Sequence, residues 1–118
     1  MVFVCYSRCG TCKKARAFLE ENSVKFEERD IKGDNPTIDE LRDWYKKNGL
    51  PLRKFFNTSG TLYKEMNLKE KLPDMSEEQQ LQLLSTDGML VKRPILIEGG
   101  NVLVGFKPDE WKNLIAKV

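Results

Sequence analysis

Apolar residues open the chain as an unbroken run, Val2-Phe3-Val4-Cys5-Tyr6, rich in β-formers and of strand length. The period then changes. From Thr11 onward helix formers dominate, and Ala15, Phe18 and Leu19 recur at i, i+3 and i+4, which predicts a helix with one buried stripe. Residues 24–31 read as a second strand, polar enough to lie near a sheet edge. A strand, a helix and a second strand in that order imply a parallel pair joined by a right-handed crossover.

The middle of the chain keeps the helical period. Asp34-Asn35-Pro36 is a turn, and Thr37-Ile38-Asp39-Glu40 is a capping box that opens a helix. Ile38, Leu41, Trp44 and Tyr45 form its apolar face, and Asn48-Gly49 closes it. Pro51 starts a short helix through Leu52, Phe55 and Phe56. Residues 57–60 break the pattern, and residues 63–72 predict another helix with Met66 and Leu68 inward. Ser76-Glu77-Glu78-Gln79 is a second capping box, before Leu81, Leu83 and Leu84, and Asp87-Gly88 stops that helix. The period of two returns in Pro94-Ile95-Leu96-Ile97 and Val102-Leu103-Val104, joined by the hairpin signal Glu98-Gly99-Gly100-Asn101. Pro108 opens a last helix with Trp111, Leu114 and Ile115 facing in. The fold class is therefore α/β. A β-α-β half and a β-β-α half resemble the thioredoxin arrangement, with a mainly helical insert over residues 37–88 covering one end of the sheet.

Composition narrows the function. The 118 residues carry 20 Lys+Arg, 18 Asp+Glu and no histidine, for a net charge of +2, and 40% are hydrophobic. This suits a single domain over residues 1–118 with its own core, and a monomer is the simplest expectation. The charges are too evenly mixed to point to nucleic acid or a membrane surface. The longest apolar run, residues 1–6, is far below the length of about 20 that a membrane span needs, and it lacks the flanks of a signal peptide. A cytoplasmic location is the expectation. Without histidine the commonest metal ligand and general base are absent, so acid-base chemistry falls to Asp, Glu, Lys, Cys or the substrate.

Cys5, Cys9 and Cys12 lie within the first twelve residues. An odd, clustered set is no secreted disulfide framework. Three readings remain for Cys9-Gly10-Thr11-Cys12. A structural zinc site usually needs four N or S ligands, and a metal is not expected here. An inert pair of small core residues is the plain alternative. A redox motif is the third, and the context favours it. Cys9 falls at the mouth of the first helix and Cys12 in its first turn, where free N–H groups and the dipole favour a thiolate. Arg8, Lys13 and Arg16 add positive charge, with Arg16 one turn past Cys12. Cys5, on the first strand, reads as a small buried hydrophobe.

Longer stretches carry a resemblance. Cys9-Gly10-Thr11-Cys12-Lys13-Lys14-Ala15, Thr37-Ile38-Asp39-Glu40-Leu41, Leu68-Lys69-Glu70-Lys71-Leu72 and residues 87–95, Asp-Gly-Met-Leu-Val-Lys-Arg-Pro-Ile, resemble the arsenate reductase/Spx (ArsC-like) family of thioredoxin-fold proteins. Phe55-Phe56-Asn57-Thr58-Ser59-Gly60 looks most like its Gram-positive-type, arsenate reductase-like branch. The resemblance implies that Cys9 is the nucleophile that attacks arsenic. It implies that Arg93 holds the oxyanion and that Pro94 is the cis proline of thioredoxin folds. Gly10, Thr11, Arg16 and Lys107 are the expected supporting residues. No bound cofactor is implied; glutathione with glutaredoxin, or thioredoxin, is the expected electron donor.

The chain also departs from the arsenate reductase pattern. It has Cys12 where those enzymes have a serine, and Asn57 and Lys107 near positions of two family arginines. An asparagine supplies no charge and a lysine is a point donor, so the grip on an oxyanion is reduced. Cys12 instead allows an internal disulfide, with Cys12 resolving an adduct on Cys9. The Spx-type regulators keep this CxxC as a switch and bind the RNA polymerase α-subunit through a glycine near Gly49, although an ordinary helix cap at Asn48-Gly49 explains that glycine without any partner. A thiol oxidoreductase, a redox-sensing transcriptional regulator, and a protein whose disulfide simply responds to oxidation all remain open. None of them requires direct contact with nucleic acid.

Overall fold

The computed structural model describes residues 1–117. Four strands form one sheet: β1 (Val2–Cys5), β2 (Glu27–Asp30), β3 (Ile95–Glu98) and β4 (Asn101–Val104), in the order β2-β1-β3-β4. β1 and β2 are parallel, with Val2 opposite Glu27. β3 runs antiparallel to β1 with Val4 opposite Ile95, and β4 returns antiparallel to β3. Helix α1 (Gly10–Glu21) makes the β1-to-β2 crossover and α6 (Pro108–Ala116) follows β4. The α/β class and the two thioredoxin-like halves are as the pattern predicts.

Alternation along the strands divides the core into two layers. Phe3, Cys5 and Leu96 point to one face and pack with Cys12, Ala15 and Leu19 of α1 and with Trp111 and Leu114 of α6. Phe3 meets the Trp111 ring edge-on at 6.0 Å between centroids. The Trp111 indole N–H is buried but satisfied, donating to the Gly105 carbonyl at 3.1 Å.

Val4, Ile95, Val102 and Val104 point to the other face and meet the insert through Leu41, Trp44, Phe55, Phe56, Leu84 and Leu90, among others. The insert thus covers a face of the sheet rather than one end. The cause is the second apolar row of β1, β3 and β4, which would otherwise face water. It holds α2 (Ile38–Asn48), a 3₁₀ turn Leu52–Phe55, α3 (Thr61–Glu65), α4 (Leu68–Lys71), α5 (Glu77–Thr86) and 3₁₀ turns Leu72–Asp74 and Gly88–Leu90. Both capping boxes form as read: Thr37 and Ser76 accept from the N–H groups of Glu40 and Gln79, whose side chains accept in return.

Two expectations change. The helix over residues 63–72 is broken between α3 and α4, where Asn67 takes a left-handed conformation with φ of 54°. Asparagine is among the few residues that tolerate this conformation. The second strand begins at Glu27 instead of Val24, because Val24 and Phe26 turn in against the α1/α6 layer.

Candidate active site

The loop after β1 delivers Cys9 to the N-cap of α1 with extended backbone, φ −85° and ψ 124°. Its N–H donates to the Tyr6 carbonyl at 2.9 Å, and its carbonyl accepts from Lys13 at 3.1 Å, so the residue is fixed from both sides. Gly10 is the first helical residue and is exposed, with open space where a Cβ would stand. Burial alone would push the half-buried Cys9 thiol up. The N–H groups of Cys12 and Thr11, the Cys12 thiol and the charge of Arg93 outweigh burial and hold it below its ordinary value.

Cys12 behaves in the opposite way. It is fully buried behind Cys9, in the layer between sheet and α1. Burial pushes its thiol up to about 12, and Cys9 and Cys5 add to the rise; the Tyr6 N–H, 3.3 Å from the sulfur, offsets only part. The two thiols of one motif are thereby split, Cys9 shifted toward the thiolate and Cys12 toward the thiol.

Cys5 is buried as expected, and burial and Glu28 push it up to about 11. Arg16 is not where its spacing from Cys12 suggests. Its guanidinium pairs with Glu28 at 2.7 Å and reaches the Cys5 sulfur at 3.4 Å. Helix geometry explains the correction: Arg16 follows the buried Ala15 on α1 and falls on the side facing Glu28 of β2, away from the helix mouth.

Above Cys9 lies a cleft of about 610 Å³. Cys9, Thr11, Lys92 and Arg93 line it with Asn57, Ser59 and Thr61, and with the apolar Leu62, Met89 and Phe106. Among the described residues no carboxylate lines it. Arg93 is set by the Arg93–Pro94 peptide, which is cis, and by two flanking backbone bonds: Lys92 N–H to the Phe55 carbonyl at 2.7 Å and Gly105 N–H to the Pro94 carbonyl at 2.8 Å. Its Cζ lies 5.3 Å from the Tyr6 ring centroid. The Arg93 Nε and Nη1 atoms are buried with no hydrogen-bond partner, and among the described residues Arg93 forms no ion pair. Guanidinium N–H groups buried without a partner are costly, so an anion that reaches them gains a charge-assisted pair.

Of the residues singled out in the sequence, the cleft gathers Cys9, Thr11 and Arg93, with Cys12 and Pro94 directly behind. Gly10, Arg16 and Lys107 do not line it. Lys107 is the exposed N-cap of α6. Lys92 is exposed and stands at the cleft wall. Asn57 stands in the cleft but is also structural, its N–H donating to the Leu90 carbonyl at 2.8 Å. Tyr6, Leu62, Met89 and Phe106 were not singled out. For Tyr6 the available signal is its place between the first strand and the CxxC loop; for the others the pattern only says apolar.

A model of the ArsC family matches residues 5–114. The uncharacterized protein YusI of Bacillus subtilis is 51% identical over 112 residues, 95% of either chain. A structure described as a possible arsenate reductase from Streptococcus mutans superposes with a TM-score of 0.86 at 37% identity, covering 94% of this chain and 96% of that one. The global transcriptional regulator Spx of B. subtilis is 27% identical over 109 residues, 92% of this chain and 82% of that protein. With the match spanning nearly the whole fold, Cys9 and Cys12 included, the chain belongs to the ArsC family.

Proposed function

We propose that the chain is a thiol-based oxidoreductase in which Cys9 is the nucleophile, Cys12 the resolving thiol and Arg93 the oxyanion holder. The observation that carries this reading is the unpartnered Arg93 guanidinium lining one cleft with a Cys9 thiol held below its ordinary value. Lys92 supplies a second positive charge at the wall.

With arsenate as substrate, the Cys9 thiolate attacks arsenic and water leaves, giving a Cys9–S–As(V) adduct. Capping Cys9 removes its negative charge, which is one cause of the raised Cys12 thiol. Cys12 then gives up its proton and attacks the Cys9 sulfur. The S–As bond breaks with its electron pair on arsenic, which departs as arsenite, and Cys9 and Cys12 are left as a disulfide. Glutathione with glutaredoxin, or thioredoxin, returns two electrons and restores the thiols.

The test is NADPH-coupled arsenate turnover with each recycling system, on wild type, Cys9→Ser and Cys12→Ser. The expected result is turnover that Cys9→Ser abolishes. Retention of turnover in Cys12→Ser with glutathione alone would make an external thiol the resolving group. No turnover in wild type, while a reversible Cys9–Cys12 disulfide still forms, overturns the arsenate reading.

The similarity to Spx supports a second reading, a redox-sensing regulator that uses the same disulfide to switch a surface for the RNA polymerase α-subunit. Asn57 and Lys107, near the positions of two family arginines, weaken the strict arsenate version of the first reading and leave this one untouched. Capture of the α-subunit by the oxidised but not the reduced protein, without arsenate turnover, is its signature.

A further inference from the structure

In the reduced protein Cys9 lines the same cleft as Arg93, whose charge helps to hold the thiol below its ordinary value. Among the described residues the cleft offers no carboxylate, and Lys92 and Arg93 are both cations. The guanidinium lies on the Tyr6 ring with Nε and Nη1 buried and unpartnered. Closing the Cys9–Cys12 disulfide removes the Cys9 thiolate as a counter-charge and leaves the half-buried Arg93, with its two unpartnered nitrogens, uncompensated.

We infer that the cleft is a redox-gated anion site: a tetrahedral inorganic anion binds the disulfide form more tightly than the thiolate form, and by linkage makes the disulfide harder to reduce. The inference rests on the role given to Arg93 above, but it concerns regulation and does not require arsenate turnover. Two effects act in the same direction. In the thiolate form the incoming anion is repelled by Cys9, and Arg93 is already partly neutralised. In the disulfide form the repulsion is gone and the buried Nε and Nη1 of Arg93 lack a partner. Reciprocity then requires the anion to stabilise the oxidised state by the same factor by which oxidation improves its binding.

The redox step balances with a dithiol buffer. The Cys9 thiolate and the Cys12 thiol pass two electrons and one proton to oxidised dithiothreitol, and the Cys9–Cys12 disulfide forms. An abundant inorganic oxyanion would thus hold part of the protein oxidised and draw down the pool of ready nucleophile.

The experiment is a dithiothreitol redox titration of the Cys9–Cys12 couple, read by thiol labelling and mass spectrometry. It is run with sodium sulfate and with sodium chloride at equal ionic strength, on wild type, Arg93→Gln and Arg93→Lys. For wild type, saturating sulfate is expected to favour the disulfide about tenfold, a fall in midpoint of about 30 mV. Arg93→Gln is expected to lower the midpoint in chloride, since the thiolate loses its cation, and to abolish the sulfate effect. Arg93→Lys is expected to keep a smaller sulfate effect, and circular dichroism confirms that each variant is folded. Equal midpoints in sulfate and chloride for wild type overturn the proposal, as does an unchanged sulfate effect in Arg93→Gln. Either result leaves arsenate turnover to be judged separately, so the two readings fail independently.

Discussion

Arg93 lies across the ring of Tyr6, with Cζ 5.3 Å from the centroid, while the N–H of the same tyrosine donates to the Cys12 sulfur at 3.3 Å. Tyr6 therefore touches both halves of the redox pair's surroundings, the cation through its ring and the buried thiol through its backbone. Replacing the ring leaves the backbone bond in place. Tyr6→Ala is expected to free Arg93 from its seat, and cation–π contacts of this kind are worth about 0.5–2 kcal/mol. Because Arg93 is one of the groups holding Cys9 down, the variant's Cys9 should ionise at higher pH than wild type. The pH profile of Cys9 alkylation by iodoacetamide measures this. Tyr6→Phe keeps the ring face and should follow the wild-type curve.

The two buried cysteines set an alkaline limit on stability. In the unfolded chain a thiol titrates near 9.0, whereas Cys5 and Cys12 in the fold are pushed up to about 11 and about 12. Above pH 9 the unfolded state releases protons that the folded state keeps, so folding stability falls as pH rises. The contribution is fully present below pH 9 and is lost progressively toward pH 11 to 12. Each group costs about 1.4 kcal/mol per pH unit over which only the unfolded form ionises. Urea unfolding of reduced wild type and Cys5→Ala at pH 8, 9 and 10 measures it. The variant should show a shallower decline between pH 9 and 10, after subtraction of its constant cavity cost. Parallel declines would rule out this source.

Much of this fold is legible because its signals are local. Both capping boxes, the Gly99 hairpin and the alternation of Phe3 and Cys5 against Val4 depend on residues a few positions apart, and all appear where the pattern puts them. The site is legible at Cys9, Cys12 and Arg93 because CxxC at a helix mouth has a physical meaning of its own and the resemblance supplied the arginine. What sequence does not convey is direction around a helix axis and contact between distant segments. Arg16 reads as support for the thiolates on spacing, yet its partner is Glu28, twelve positions away on another strand. Lys107 fails for a related reason, since at the α6 N-cap its side chain stays in water. Asn67 breaks a helix that its neighbours would have continued.

Arg29 bolts the sheet to the insert. From β2 it forks onto the Glu40 carboxylate of α2, donates to the Asp34 carbonyl at 2.9 Å, and lies over the Trp44 ring. The Arg29 guanidinium holds the Glu40 carboxyl down at about 2, below its ordinary 4.5. The lowered value means that its stabilisation is complete above pH 4.5 and is lost as pH falls toward 2. The Glu40 side chain is 36% exposed, so solvent screening reduces the effect to about 1–2 kcal/mol. Glu40→Gln should lose that much stability at pH 7 and show a weaker dependence on pH between 4.5 and 2. Thermal unfolding across this range measures both. A variant as stable as wild type at pH 7 would show that the pair is no bolt.

Gly88 reads in the sequence as a helix stop, and its packing demands more. A Cβ built there would collide with the Ile31 carbonyl oxygen and stand 2.7 Å from its carbon, both backbone atoms of the residue just after β2. Backbone cannot swing aside as a flexible side chain would, so Gly88→Ala must push the Gly88–Leu90 turn off the sheet. That turn leads into Val91, which bridges to Phe56, and Lys92, which bonds the Phe55 carbonyl, and so into Arg93. Overpacking of this kind costs about 3 kcal/mol or more. The expected outcome is a large loss of stability in urea unfolding together with a rise in the pH at which Cys9 is alkylated, as Arg93 shifts away. Gly10→Ala is the matched control. Its Cβ meets open space at the start of α1, and alanine there should leave stability unchanged or raise it by up to about 1 kcal/mol. If Gly88→Ala proved as stable as Gly10→Ala, the close seating of this turn on β2 would be wrong, and with it the account of how Arg93 is held over Cys9.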